Sequence, residues 1–118
     1  MIRHASIYDP RDMSDADGLR VLIMRYWPRG VRRERVDLWL RDAAPSRELL
    51  GAHTRGAIDA TEFDQRYREE IKAERPHVLQ RLRELEREHG TLTLLCHERI
   101  PPSEYCHRLA LVELLATT

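Results

Sequence analysis

The chain has 118 residues, 20 of them basic and 20 acidic, and so no formal net charge. That size suits one domain burying about two-thirds of its unfolded surface, and 42% apolar with 34% charged residues excludes a disordered tail. No apolar run approaches the ~20 residues that span a bilayer, no signal-peptide core opens the chain, and two cysteines make no disulfide scaffold, so a cytoplasmic protein that does not engage a membrane is expected.

In chain order, the first predicted strand is Ala5 to Tyr8, closed by Asp9-Pro10. Residues 9–18 (DPRDMSDADG) hold turn formers and read as a loop with at most one helical turn. Arg20 to Tyr26 carries Val21-Leu22-Ile23-Met24, a run apolar on both faces as a buried central strand requires. It stops at Trp27-Pro28, because proline removes a ladder donor. Residues 31–42 fit two periods at once: Val36, Trp39 and Leu40 suit a helix face, whereas Val36, Leu38 and Leu40 alternate as in a strand, and the segment is read as a short helix. Ser46 caps a short helix ending near Gly51. The strongest helix begins at Thr61, where Thr61 and Asp64 form a variant capping box and Phe63, Tyr67 and Ile71 share a face. Pro76 interrupts it and opens a second helix carrying Val78, Leu79, Leu82 and Leu85, with Gly90 as its C-terminal stop. Thr91 to Leu95 is a strand ending at Cys96, and Ser103 caps a last helix with Tyr105, Leu109, Val112 and Ala116 on one stripe.

This order gives an α/β domain over residues 1–118, with a small, mainly parallel central sheet of about three strands and helices packed around it. The long helical crossover between the second and third strands makes that pair parallel. The connection after the first strand is short for a crossover, which leaves its pairing open.

The neutral total conceals two asymmetries. Nineteen of the 20 cations are arginine, with Lys72 the exception, and the guanidinium fork suits oxyanions, although nucleotide bias in a genome produces the same ratio. Between Arg20 and Arg41, seven arginines face only Glu34 and Asp37, while the rest of the chain is slightly acidic. A local basic segment in a neutral protein points to a site for a small anion more than to a duplex-binding surface.

The segment from Cys96 to Arg108 (CHERIPPSEYCHR) holds the densest chemistry. Cys96 ends a buried strand, and ligands of open parallel sheets bind at strand carboxyl ends. With Ser103 as cap, Cys106 falls at the third helical position, where unpaired N–H groups and the helix dipole favour a thiolate or an anion. His107 and Arg108 add donors there, Arg25 and Arg29 leave the second strand from the same edge, and Asp9 lies at the matching end of the first strand. Each residue also has a plainer reading: a strand-end cysteine is usually a small buried hydrophobe, and Arg29 and Arg108 alone would be solvated. The two Cys-His pairs are adjacent in sequence rather than spaced by two to four residues, so they make poor zinc ligands, and no metal or cofactor is expected. A Cys96–Cys106 disulfide is sterically allowed but unforced. His4, His53, His77 and His89 show no partner spacing and read as surface residues. No phosphatase cradle, glycine-rich phosphate loop, dinucleotide fingerprint or serine elbow is present.

Several motifs together resemble the YeaO-like branch of the domain-of-unknown-function 488 family. They are Asp17-Gly18-Leu19-Arg20-Val21-Leu22, Arg25-Tyr26-Trp27-Pro28-Arg29-Gly30-Val31, Asp37-Leu38-Trp39-Leu40, Ala44-Pro45-Ser46, Phe63 with Arg66-Tyr67, Leu94-Leu95-Cys96-x-Glu98 and Cys106-His107-Arg108. The resemblance spans nearly the whole chain and implies a compact α/β domain with polar motifs gathered at one sheet edge. It implies no particular activity. Two departures stand out: Met24 occupies a position where family members often carry Asp, which removes a candidate base, and residues 50–58 lack the usual aromatics.

The expectation is a ligand site at the carboxyl edge of the sheet for a small, phosphate-bearing anion. Arg25, Arg29 and Arg108 hold its charge with His107 and Asp9 nearby; Cys96 or Cys106 is a candidate nucleophile or redox centre, and Glu98 a candidate acid or base. The alternative is a non-catalytic module that binds nucleic acid or protein through the Arg20–Arg41 segment. Oligomeric state is not legible.

Overall fold

Leu92–Cys96 is buried at every position, and it forms the inner strand of a four-stranded sheet. The computed structural model describes residues 1–8, 15–97 and 106–117. In it β1 (Ile2–Ser6), β2 (Leu19–Leu22), β3 (Leu38–Trp39) and β4 (Leu92–Cys96) lie in the order β1-β4-β2-β3, with every pair parallel. Ser6 is level with Cys96, and Leu22 with Leu95, so the strands end along one edge. The helices are α1 (Arg47–Thr54), α2 (Ala60–Glu69), α3 (Pro76–His89) and α4 (His107–Ala116).

The sheet separates two apolar clusters. Val21, Ile23, Leu92, Leu94 and Cys96 pack against Phe63, Tyr67 and Ile71, the Val78–Leu85 stripe of α3, and Leu111, Leu114 and Leu115 of α4. The opposite face carries Ala5, Ile7, Leu22 and Leu95 under Trp27, Val31, Val36 and Trp39. The two tryptophans meet edge to face at 5.4 Å. An all-parallel sheet has to be covered on both faces; here helices cover one, and Trp27 from the loop after β2 with Trp39 of the edge strand β3 the other.

The ends of three elements shift: β1 is Ile2–Ser6 and not Ala5–Tyr8, β2 stops at Leu22 and α1 runs to Thr54. Three further features depart from the sequence reading and one, the second, settles a pairing it left open. The fourth strand is β3, within the segment read as a short helix: residues 33–35 and 41–43 form 3₁₀ turns, and Leu38–Trp39 adds an edge to β2 between them. Second, β1 pairs with β4 and not with β2, so the chain from β1 to β2 must pass β4. It does so at the strands' amino ends, where Leu19 N donates to Thr91 O at 2.9 Å, Thr93 Oγ1 to Asp17 O at 2.7 Å and Arg3 Nη1 to Ala16 O at 2.8 Å. Third, the cap of α2 lies two residues early, because Asp59 and not Thr61 accepts from Glu62 N, at 2.8 Å, and the helix begins at Ala60. Fourth, α4 is capped by Cys106. The backbone of Cys106 is extended and its side chain makes no capping bond, so Cys106 precedes the first turn and does not sit at its third position; Ser103 lies outside the described residues.

Pro76 at the first turn of α3 and Gly90 at φ 79° beyond its last turn match the start and stop signals. Ser46 caps α1, accepting from Leu49 N at 3.2 Å. Among the described residues, no helix is long and apolar enough to cross a membrane.

Candidate functional site

β2 delivers Arg25 past its carboxyl end, β4 delivers Cys96 and His97, and α4 brings Cys106 and His107 back over the same edge. All but Cys96 border a pocket of about 250 Å³ whose wall also includes Pro45, His53, Phe63 and Tyr26. Cys96 itself is fully buried behind it, in the core cluster.

The wall is built from a chain of side-chain contacts. α2 runs into a π-helical turn over Glu70–Glu74, and Glu70 there accepts from Ser46 N at 2.9 Å and from Ser46 Oγ. Arg75 bonds Glu70 at 2.9 Å and Ala44 O at 2.7 Å, while Tyr67 Oη donates to Ala43 O at 2.5 Å. These contacts fix the 43–46 segment, and Pro45 O in turn accepts from Arg25 Nε at 3.2 Å and Nη2 at 3.1 Å. One edge of the Arg25 guanidinium is thus anchored, which reduces the rotamer entropy lost when a ligand arrives.

At the head of α4, His107 Nε2 lies 2.6 Å from Ile23 O. A carbonyl only accepts, so Nε2 carries a proton, and in the neutral imidazole Nδ1 is then the nitrogen with the lone pair. Nδ1 is 3.7 Å from Cys96 Sγ, and the Tyr67 ring braces the imidazole edge-on at 5.3 Å. The Cys106 thiol is pushed up to about 12, first by its hydrogen bond with Cys96 and then by burial. At neutral pH it is a thiol, not a thiolate.

The remaining residues named from sequence scatter. Arg108 is completely buried: Nε donates to His4 Nδ1 at 3.2 Å, and Nη1 approaches Cys106 Sγ at 3.7 Å. It does not border the pocket that Arg25 lines, and its partner His4 is level with Leu94 inside the sheet. Arg29 is exposed, with its carbonyl accepting from Tyr8 Oη at 3.0 Å, and it does not border the pocket. Asp9 and Glu98 lie outside the described residues. Three residues were missed or misread. His53 and His4 read as surface residues, yet His53 stacks on Phe63 at 4.6 Å within the pocket and His4 is the acceptor for buried Arg108. His97 reaches the pocket, with Nδ1 3.9 Å from Cys96 Sγ. Only packing between elements brings these groups in; the Ala-Pro-Ser motif was the one sequence signal near that wall.

A family model described as the active DUF488-N3 subclade matches residues 2–118. The chain belongs to the DUF488 family. Curated relatives include the uncharacterized protein Rv3073c of Mycobacterium tuberculosis, 40% identical over 72 residues that make 59% of each chain. Another is the uncharacterized protein YeaO of Escherichia coli, 36% identical over 67 residues, 55% of this chain and 56% of that one. The match thus spans less than two-thirds of the length of these DUF488-type relatives. No solved structure matches.

Proposed function

We propose that this DUF488 protein binds a small anionic, phosphate-bearing ligand in the pocket at the carboxyl edge of its sheet. The observation that carries the reading is the placement of Arg25, pre-anchored on Pro45, in one pocket with the head of α4. A guanidinium offers paired N–H donors to an oxyanion, and the first-turn N–H groups of a helix add partial positive charge. His53 and His97 supply further polar contacts, and Met24, Leu50 and Phe63 supply apolar wall. The volume suits a phosphate on a small carbon skeleton and is small for a dinucleotide. Arg29 and Arg108 drop out as direct contacts in this reading. Cys106, held as a neutral thiol, serves as a weak donor and not as a nucleophile. A cytoplasmic location accompanies it, since both cysteines are free thiols.

A thermal-shift series with inorganic phosphate, sugar phosphates and mononucleotides, run in chelator, tests the proposal. At least one phosphate compound should raise Tm with saturation, since ligands that bind only the native state stabilise it. Arg25→Ala should keep the unliganded Tm within a few degrees and lose the shift. If no phosphate compound shifts Tm, or if Arg25→Ala responds like the parent, the reading fails. Iodoacetamide at pH 7 should modify Cys106 slowly; rapid labelling at that pH would restore the thiolate nucleophile.

A further inference from the structure

We propose that Cys96, Cys106 and His107 form a binding site for a zinc-like divalent cation, with its fourth coordination position open to the pocket. The three residues are buried, and their ligand atoms all lie within 4.8 Å of one another. Tetrahedral zinc, with bonds of about 2.3 Å to sulfur and 2.0–2.1 Å to nitrogen, sets its donors roughly 3.5–3.8 Å apart. Cys96 Sγ and His107 Nδ1 already stand at 3.7 Å.

Two further observations point to a ligand set and not to chance proximity. The first is the orientation of His107. Its Nε2 is committed to Ile23 O at 2.6 Å, which leaves Nδ1 as the nitrogen free for an ion; Cys96 Sγ stands 3.7 Å from Nδ1 and 3.9 Å from Nε2, so a turn of the thiol completes the alignment. Metal-bound histidines are commonly held this way, by a carbonyl on the far nitrogen. The second is the backbone at the head of α4. Adjacent helical residues diverge by about 100°, but Cys106 is extended at φ −131°, ψ 137°, while His107 is the first helical residue. The break in backbone geometry lets neighbours in sequence converge on the end of β4. Adjacency in sequence therefore does not keep Cys106 and His107 from sharing an ion.

The donor chemistry selects the cation. Two thiols and an imidazole suit zinc and similar borderline-soft ions, whereas calcium and magnesium take oxygen. On binding, both thiols release their protons to solvent and the thiolates are neutralised by the ion. The Arg108 guanidinium, 3.7 Å from Cys106 Sγ, further favours charge on that sulfur. Cys106 and His107 border the pocket while Cys96 closes the back, so solvent or a ligand would complete the shell. Three protein ligands and one open position is the pattern of a catalytic zinc, not of a structural one. The proposal does not depend on the anion reading, although both use the head of α4: with the ion bound, Cys106 is a thiolate ligand and no longer a weak donor, and Arg25 remains for the anion.

The test uses chelator-stripped full-length chain in phosphate-free buffer, titrated with Zn²⁺ and separately with Co²⁺. One equivalent of Zn²⁺ should bind per chain and raise Tm, and Co²⁺ should produce a thiolate-to-cobalt charge-transfer absorption. Cys106→Ala, at the pocket rim, should weaken Zn²⁺ binding at least ~100-fold and diminish the band, since even groups behind the ligands are worth 10–100-fold in affinity. Arg25→Ala should retain both signals. Cobalt binding without the charge-transfer band, no stoichiometric zinc uptake, or a Cys106→Ala variant that binds like the parent would each overturn the site. Cys96→Ala and His107→Ala extend the series; should either fail to fold, the parent spectrum and Cys106→Ala decide the matter.

Discussion

Arg108 is a fully buried cation whose guanidinium donates to His4 and approaches Cys106, so both must present an acceptor to it. His4 accepts from Arg108 Nε through Nδ1, which requires that nitrogen to be unprotonated. Burial, and secondarily the Arg108 charge, hold His4 below the ordinary histidine value of 6.5. The unfolded chain therefore takes up the proton first as pH falls. The sign follows: the stabilisation from neutral His4 is complete above about pH 6.5 and is lost as pH descends from there through the lowered native value. Urea midpoints measured from pH 7.5 downwards should decline below about pH 6.5 more steeply in the parent than in His4→Asn, whose amide oxygen accepts without titrating. Parallel profiles would show that His4 is not the titrating group. Arg108→Met should cost at least ~2 kcal/mol, because it leaves the polar groups around a buried site unmatched; a loss below ~0.5 kcal/mol in the same urea titration would mean that those groups are satisfied without it.

At the scale of elements, the tightest joint is where the chain passes β4 to reach β2. Gly18 adopts φ 62°, and a Cβ there would fall 2.0 Å from Thr91 O. Gly56 has a similar φ of 74° but open space around it. The pair separates conformational strain from collision. Gly56→Ala should cost about 1 kcal/mol, the left-handed penalty alone, whereas Gly18→Ala should cost more than ~3 kcal/mol, because backbone must move and the Leu19–Thr91 bond is lost. Chemical denaturation of both variants checks this, and equal losses would mean that the crossing is loose. The same crossing shows what the sequence could and could not reveal. β2 and β4 were legible because both faces are buried and the apolar run is continuous. α3 was legible from Pro76 and Gly90. β3 was not: two residues carry no period, and Trp39 satisfies a helix pattern and a strand pattern equally. The β1–β4 pairing was hidden because nothing local to residues 2–6 names a partner 90 residues away. Of the site, the arrival of Arg25 and Cys106 at one edge followed from parallel pairing. The approach of His53, the orientation of His107 by Ile23 O and the withdrawal of Arg108 depend on contacts between elements, which no spacing rule encodes.

For the molecule as a whole, the local excess of arginine between residues 20 and 41 is largely turned to internal use. Arg20 is buried and bonded to Asp17 at 2.5 Å, and Arg25 is anchored on Pro45. Arg33 lies over Trp27 at 5.4 Å and Arg41 over Trp39 at 3.9 Å, which covers the aromatic face of the sheet with guanidinium planes. Arg29, Arg32, Arg33 and Arg41 are exposed, the last two with their planes laid on the tryptophans, on a chain with no net charge. Affinity for duplex nucleic acid comes mainly from releasing one condensed counterion per neutralised phosphate, so a surface with few free cations has little to draw on. A pocket that holds one phosphate group through one guanidinium and a helix terminus behaves differently, because its contact is local and partly shielded from salt. The two readings therefore separate on the salt axis. Binding of the best phosphate compound, followed by Tm shift between about 50 and 200 mM salt, should weaken by less than about tenfold, as expected for one or two contacts, whereas six to ten phosphate contacts would cost 10³–10⁵. Duplex DNA in the same buffers should show no saturable binding at physiological salt. A steep log–log slope with DNA, lost on replacing Arg29 and Arg32, would instead assign the arginine segment to a polyanion surface and remove the pocket as the principal site.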